Sequence, residues 1–126
     1  MKQNEWQILL VEDEYDSTQM VSEILGYYGI HVHVVRNGVE CLEALNKLTP
    51  TLIIMDLAMP EMDGWETLSA IRANPRTSHI PVVATTAYHS SNVEDNSLKA
   101  GFDGYFPKPI SPASFVDELQ RILDFA

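Results

Sequence analysis

The chain has 126 residues, 45% of them hydrophobic, which suits one domain around one core. Acidic residues outnumber basic ones 18 to 8, giving a formal charge of -10, which argues against binding nucleic acid or an anionic membrane through a broad basic face. Cys41 is the single cysteine, so no internal disulfide forms; no apolar stretch approaches a membrane span, and the start Met1-Lys2-Gln3-Asn4-Glu5 lacks the apolar core of a signal peptide, so the cytoplasm is the expected compartment.

Short apolar runs alternate with amphipathic stretches along the chain. The first strand is predicted at Gln7–Val11, and its run ends in Glu12, Asp13 and Glu14. Met20, Val21, Ile24, Leu25 and Tyr28 then form the stripe of a first helix, closed by Gly29. The second strand, His31–Val35, alternates in polarity, which suits a sheet edge with one wetter face. Leu42, Leu45 and Leu48 mark a second helix, ended by Pro50. The third strand, Thr51–Met55, is a nearly continuous apolar run that delivers Asp56 into a turn-forming stretch, 57–64. Trp65, Leu68 and Ile71 mark a third helix, ended near Pro75, and the fourth strand is Pro81–Thr85. The fourth helix, Ser91–Ala100, is weakly signalled, with only Val93, Leu98 and Ala100 apolar and Gly101 as its stop. The fifth strand is Gly104–Phe106. The last helix has Ser111 as cap, Pro112 at its first position, and Phe115, Val116, Leu119, Ile122 and Leu123 on its buried side.

Such strand–helix units imply a parallel sheet with right-handed crossovers, whose ligands bind at the carboxyl ends of the strands. On that rim the pattern gathers Glu12 and Asp13 from strand one, Asp56 from strand three, Thr85, Thr86 and Ala87 from strand four, and Lys108 with Pro109 from strand five. At ~4 Å and an effective dielectric of ~20, each ionised carboxylate pair costs about 4 kcal/mol, so either some acids are protonated or a cation sits among them. Oxygen-only ligands with few protein donors favour Mg²⁺. A carboxylate beside Mg²⁺ is a plausible acceptor for a phosphoryl group; Lys108 is a point cation suited to a phosphoryl oxygen, and a threonine hydroxyl can donate to another.

These residues resemble the response regulator receiver family of two-component signal transduction, including its chemotaxis regulators. The matching pieces are Ile8-Leu9-Leu10-Val11-Glu12-Asp13-Glu14, Met55-Asp56-Leu57-Ala58-Met59-Pro60-Glu61-Met62-Asp63-Gly64, Pro81-Val82-Val83-Ala84-Thr85-Thr86-Ala87 and Gly104-Tyr105-Phe106-Pro107-Lys108-Pro109, in order over nearly the whole chain. The resemblance implies a single α/β domain over 1–126, doubly wound as (βα)5, with a five-stranded parallel sheet of order 2-1-3-4-5 and helices on both faces. It implies that Asp56 is the phosphoacceptor, that Glu12 and Asp13 hold Mg²⁺ with Asp13 the direct ligand, and that the Ala58 carbonyl is a third ligand. Thr86 matches the switch hydroxyl, Lys108 the family lysine, and Tyr105 the aromatic that turns inward when the threonine moves. The Lys108–Pro109 bond matches one that is often cis.

The function so implied is a self-phosphorylating and self-dephosphorylating switch, not a turnover enzyme. A sensor histidine kinase or histidine phosphotransfer protein supplies the phosphoryl group, and the face formed by the fourth helix, fifth strand and fifth helix changes its affinity for a downstream protein. Dimerisation on phosphorylation is compatible with this reading. The initial Met and tight ends favour a stand-alone regulator over a receiver module of a hybrid kinase.

Other residues have plainer readings. Glu14 and Asp16 suit solvated or helix-start acids, Glu61 and Asp63 suit turn positions, and Gly64 begins the third helix. Thr85 and Thr86 should point to opposite sheet faces, with Thr86 the one that reaches phosphate. His31 and His33 suit a solvated edge, and His79 a polar loop, whereas His89 lies just past Thr86 and close enough in sequence to approach the phosphate. Cys41 suits a small buried side chain, Trp65 helix packing, and Trp6 either packing on the first strand or exposure. Two positions depart from many relatives: Ala58, two past the acceptor, and Tyr88, two past Thr86, offer little to orient an attacking water and predict an altered lifetime of the phosphorylated state. An FMN-binding flavodoxin-like domain is a rival on the same fold, disfavoured by the acidic loop after strand one. A Mg²⁺ phosphatase would carry a second acid two residues after Asp56, where Ala58 stands.

Overall fold

The computed structural model describes residues 2–125. Its elements are β1 (Gln7–Val11), α1 (Tyr15–Tyr27), β2 (His31–Val35), α2 (Gly38–Leu45), β3 (Leu52–Asp56), α3 (Gly64–Ala73), β4 (Val82–Thr86), α4 (Ser91–Ala100), β5 (Gly104–Pro107) and α5 (Phe115–Asp124), preceded by a short 3-10 turn at Gln3–Glu5. The strands form one parallel sheet in the order β2-β1-β3-β4-β5, as expected. Every residue of β3 and β4 is buried, because helices cover both faces of the central strands. β2 stands at one edge with His31 and His33 exposed, which accounts for its alternating sequence.

Alternate strand residues feed two cores. On one face Ile8, Leu10, Ile54 and Val83 pack with Val21 and Leu25 of α1 and with Phe115, Val116 and Leu119 of α5. Trp6 completes this core with only 1% of its surface exposed, so it packs rather than lying open. On the other face Leu9, Val11, Ile53, Met55 and Ala84 pack with Cys41 and Leu45 of α2, Leu68 and Ile71 of α3, and Phe102. Trp65 meets Phe102 edge-on at 5.8 Å, a packing role as expected.

Several boundaries differ from the predicted ones. β3 and β4 each start and end one residue later, so Asp56 and Thr86 are strand residues rather than the first loop positions. Thr51 is instead tied sideways: its N–H donates to the Gln7 carbonyl at 2.8 Å and its Oγ1 accepts the Gln7 N–H at 2.9 Å. β5 extends to Pro107. α2 ends at Leu45, before Leu48, where its last turn tightens: the Asn46 N–H donates to the Glu43 carbonyl and the Lys47 N–H to the Ala44 carbonyl, three residues back rather than four. α5 begins at Phe115 rather than Pro112: Ser111 to Ser114 form a preceding turn in which the Ser111 carbonyl accepts the Phe115 N–H at 3.1 Å, and Ser114, at φ -120°, is outside helical geometry. Met20 and Tyr28, counted on the α1 stripe, are 41% and 39% exposed and flank it rather than fill it. Gly29, at φ +73°, and Gly101, at φ +111°, close α1 and α4 in the left-handed conformation expected of them.

Candidate functional site

β1 and β3 are adjacent, so their C-terminal ends bring Glu12, Asp13 and Asp56 together. Each offers a carboxylate oxygen, and these oxygens lie within 4.8 Å of one another. Glu12 and Asp56 are buried, at 3% and 5% exposure, whereas Asp13 is exposed. Lys108 reaches in from the end of β5, with its Nζ donating to Glu12 Oε1 at 2.5 Å and lying 3.4 Å from Asp56 Oδ2. Its own N–H donates to the Thr86 carbonyl at 2.8 Å, which fixes where the side chain starts. The Lys108–Pro109 bond is cis, as the resemblance implies.

Backbone donors complete the acid cluster. The Ala58 N–H donates to Asp56 Oδ1 at 3.2 Å, and the Glu14 N–H to Glu12 Oε2 at 3.2 Å. Burial, reinforced by the neighbouring Asp56, pushes the Glu12 carboxyl from 4.5 up to about 7 against the opposing pull of Lys108. For Lys108, burial favours loss of its proton, but Glu12 and Asp56 outweigh it and hold its pKa above the ordinary lysine value. One ammonium facing three clustered carboxylates leaves negative charge uncompensated. The donor set is oxygen only, open to solvent on the Asp13 side, and therefore fits a small hard divalent cation that keeps part of its water shell.

Gly64 shapes the loop after Asp56 in a way that sequence reading missed. A Cβ there would stand 2.6 Å from the Asp56 carbonyl oxygen and 2.9 Å from the Leu57 Cα, so only glycine lets α3 start against the end of β3. The α3 start is further fixed by a capping box, in which Asp63 Oδ1 accepts the Glu66 N–H at 2.9 Å and Glu66 Oε1 accepts the Asp63 N–H. Glu61, in the same loop, holds φ at +67°, a conformation uncommon for a non-glycine residue.

On the far side of the rim, Thr85 and Thr86 are both buried at 2% exposure. Thr85 lines a cavity of about 330 Å³ with Glu12, Lys108, Pro109, Met20 and Ile110. The Thr86 Oγ1 accepts the Tyr88 N–H at 3.0 Å. Ala58, Ala87 and Tyr88 are exposed. Tyr105 is half-buried, packed against the core on the α2–α4 side, and its hydroxyl shares a 2.9 Å hydrogen bond with His89 Nδ1. His89 thus pairs with the aromatic on β5, and among the described residues it makes no hydrogen bond to the acids or to Lys108. A histidine near the end of β4 was the only sequence signal for this contact, because pairing across to β5 depends on the loop path.

Five parallel strands in this order, with acids and a lysine gathered at their C-terminal ends, define a flavodoxin-like signalling domain. The chain belongs to the response regulator receiver family: the model of the response regulator receiver domain matches residues 8–120. It is 29% identical over 116 residues to the polar-differentiation response regulator DivK of Brucella anthropi, covering 92% of this chain and 94% of that one. The signal receiver domain of a signal transduction histidine kinase from Syntrophus aciditrophicus superposes with a TM-score of 0.86 at 31% identity, covering 96% of this chain and 92% of that one. The receiver domain of a sensor histidine kinase from Pseudomonas aeruginosa, with a magnesium ion coordinated in its active-site cleft, gives 0.86 at 29% identity, covering 94% and 98%. The chain is a receiver domain of two-component signalling, a class of switches that work with histidine kinases or phosphotransfer proteins. Among the described residues no helix is long and apolar enough to cross a membrane.

Proposed function

We propose that residues 1–126 act as one phosphoacceptor module, in which Asp56 takes a phosphoryl group from a histidine kinase or a histidine phosphotransfer protein. The observation that carries this reading is the convergence of the Glu12, Asp13 and Asp56 oxygens within 4.8 Å, beside the Lys108 ammonium. Glu12, Asp13 and Asp56, with the Ala58 carbonyl, would hold Mg²⁺, which supplies neutralisation of charge on the transferring oxygens. The magnesium in the cleft of the Pseudomonas relative supports this assignment.

Asp56 Oδ1 is oriented by the Ala58 N–H, leaving the carboxylate positioned to attack phosphorus in line with the imidazole nitrogen of the donor. The new P–O bond forms as the P–N bond breaks, and the imidazole leaves with the electron pair. Lys108, already within reach of Asp56 Oδ2, stabilises a phosphoryl oxygen as charge builds there. The Thr86 hydroxyl, which accepts a bond from Tyr88 and among the described residues donates none, donates to another. Movement of Thr86 toward that oxygen alters the face built from α4, β5 and α5, and with it affinity for a downstream protein. A cytoplasmic location and dimerisation in the phosphorylated state belong to the same proposal. The likeness to kinase receiver domains favours a second setting, in which this module works inside a hybrid kinase.

The test is transfer of label from a phosphorylated histidine phosphotransfer protein. Label passing to the native chain with Mg²⁺, and not to Asp56→Asn, is the expected result; equal labelling of the two proteins would overturn the assignment.

A further inference from the structure

The loop between β4 and α4 is tied at two neighbouring residues. At one, the Tyr88 N–H donates to Thr86 Oγ1 at 3.0 Å. At the next, His89 Nδ1 and Tyr105 Oη share a hydrogen bond of 2.9 Å, with the ring centroids 5.6 Å apart and the planes tilted by 43°. A single peptide unit therefore separates a bond to the threonine of the acid site from a bond to the aromatic of β5. We propose that His89 is a positioning residue that ties the Tyr105 side chain to the Thr86 hydroxyl through this loop.

The consequence follows from hydrogen-bond accounting. If Thr86 turns its hydroxyl toward a new acceptor, the Tyr88 N–H loses the oxygen that holds it, and the Ala87–Tyr88 peptide that carries this N–H is released from the threonine. His89 is the next residue along the chain, so a shift of the released loop reaches Tyr105 through the His89–Tyr105 bond, and Tyr105 is pulled rather than merely offered space. The loop from Ala87 to His89 is exposed, and Ser90 anchors its far end as the cap of α4, its Oγ accepting the Val93 N–H at 3.1 Å. Other groups face the phenol: the Ser90 backbone lies in hydrogen-bonding reach of it, and the Glu94 carboxylate raises its pKa after burial does. Ser90 lies on the same loop one residue further on and Glu94 on α4, but among the described residues the hydrogen bond to the phenol is that of His89, so His89 carries the link. The coupling half of this inference rests on the phosphoacceptor reading; the tie itself exists without phosphate.

Fluorotyrosine labelling with ¹⁹F NMR separates the two. The Tyr105 resonance is assigned by Tyr105→Phe, and two variants are compared with the native protein. His89→Phe keeps a ring but cannot bond to the phenol; His89→Gln keeps an acceptor without the ring. With no phosphate mimic present, His89→Phe should broaden or split the Tyr105 line, and His89→Gln should restore a single line. A Tyr105 line in His89→Phe as sharp as in the native protein would overturn the tie, whatever Asp56 does. With beryllofluoride and Mg²⁺, the native Tyr105 line should move, and the movement should fall to less than half in His89→Phe and return in His89→Gln. Equal movement in all three would overturn the coupling. A native protein that takes no beryllofluoride overturns the phosphoacceptor reading and the coupling together, while the first comparison still decides the tie.

Discussion

The rim of the sheet has two unlike halves. Where β1 and β3 end, Glu12 and Asp56 are buried, Lys108 is bonded to both, and Gly64 locks α3 against the strand. Where β4 ends, the loop from Ala87 to Ser90 is exposed, α4 buries only Ser97, and β5 buries only Phe106. By contrast α3 buries Gly64, Thr67, Leu68 and Ile71. Few buried apolar contacts mean low local stability, so the second half is the one able to move when the first half changes charge. Thr86 stands at the junction, buried like the first half and bonded to the loop of the second.

Substitutions that break the packed half should have the largest effects. Lys108→Ala removes the cation beside buried Glu12 and Asp56, and should destabilise the fold by about 3 kcal/mol above neutral pH and suppress labelling of Asp56. Urea denaturation reads the first effect, and an unchanged midpoint would mean that the pair contributes nothing. Gly64→Ala forces a Cβ to within 2.6 Å of the Asp56 carbonyl oxygen and should cost about 2 kcal/mol while slowing phosphorylation by moving the acceptor loop. Native stability and native labelling rate together would show that α3 can slide without cost.

The acid cluster also predicts a pH dependence. Glu12 titrates near 7 when folded, against 4.5 for an ordinary glutamate, so the folded chain keeps a proton that the unfolded chain has lost across that window. Stability of the metal-free protein should therefore fall as pH rises from 4.5 to about 7, and Glu12→Gln should flatten that slope. Mg²⁺ affinity, measured by calorimetry, should rise over the same window, because the ion must displace that proton. A flat Mg²⁺ profile would contradict the shift at Glu12.

The smallest effect should come from the open side. Ala58 is exposed beside Asp56 and offers no polar side chain, so Ala58→Asn can orient a water and should shorten the phosphorylated state by about fivefold, the kinetic equivalent of one ordinary hydrogen bond. Identical decay of isolated phosphoprotein in the two forms would remove that idea.

Much of the packed half was legible in the sequence because its signals are local. Unbroken apolar runs ending in Glu12-Asp13 and in Asp56 read as buried strands delivering acids to one rim, and their alternation with helical stripes implies the parallel sheet. What escaped depends on contacts between distant segments. The sideways tie of Thr51 to Gln7 shifts β3 by one residue, and the three-residue bonds of Asn46 to Glu43 and of Lys47 to Ala44 end α2 early. The need for glycine at 64 is invisible until α3 is seen to touch the end of β3. The bond of His89 to Tyr105 likewise joins residues from two separate strand ends and has no local signal in the sequence.

The most direct measurement is the mass of the intact chain, with peptide mapping, after exposure to acetyl phosphate with and without Mg²⁺. The account predicts the addition of one phosphoryl group, mapped to Asp56, dependent on Mg²⁺ and abolished by chelation. No added mass, or addition at another residue while Asp56 stays free, would contradict it.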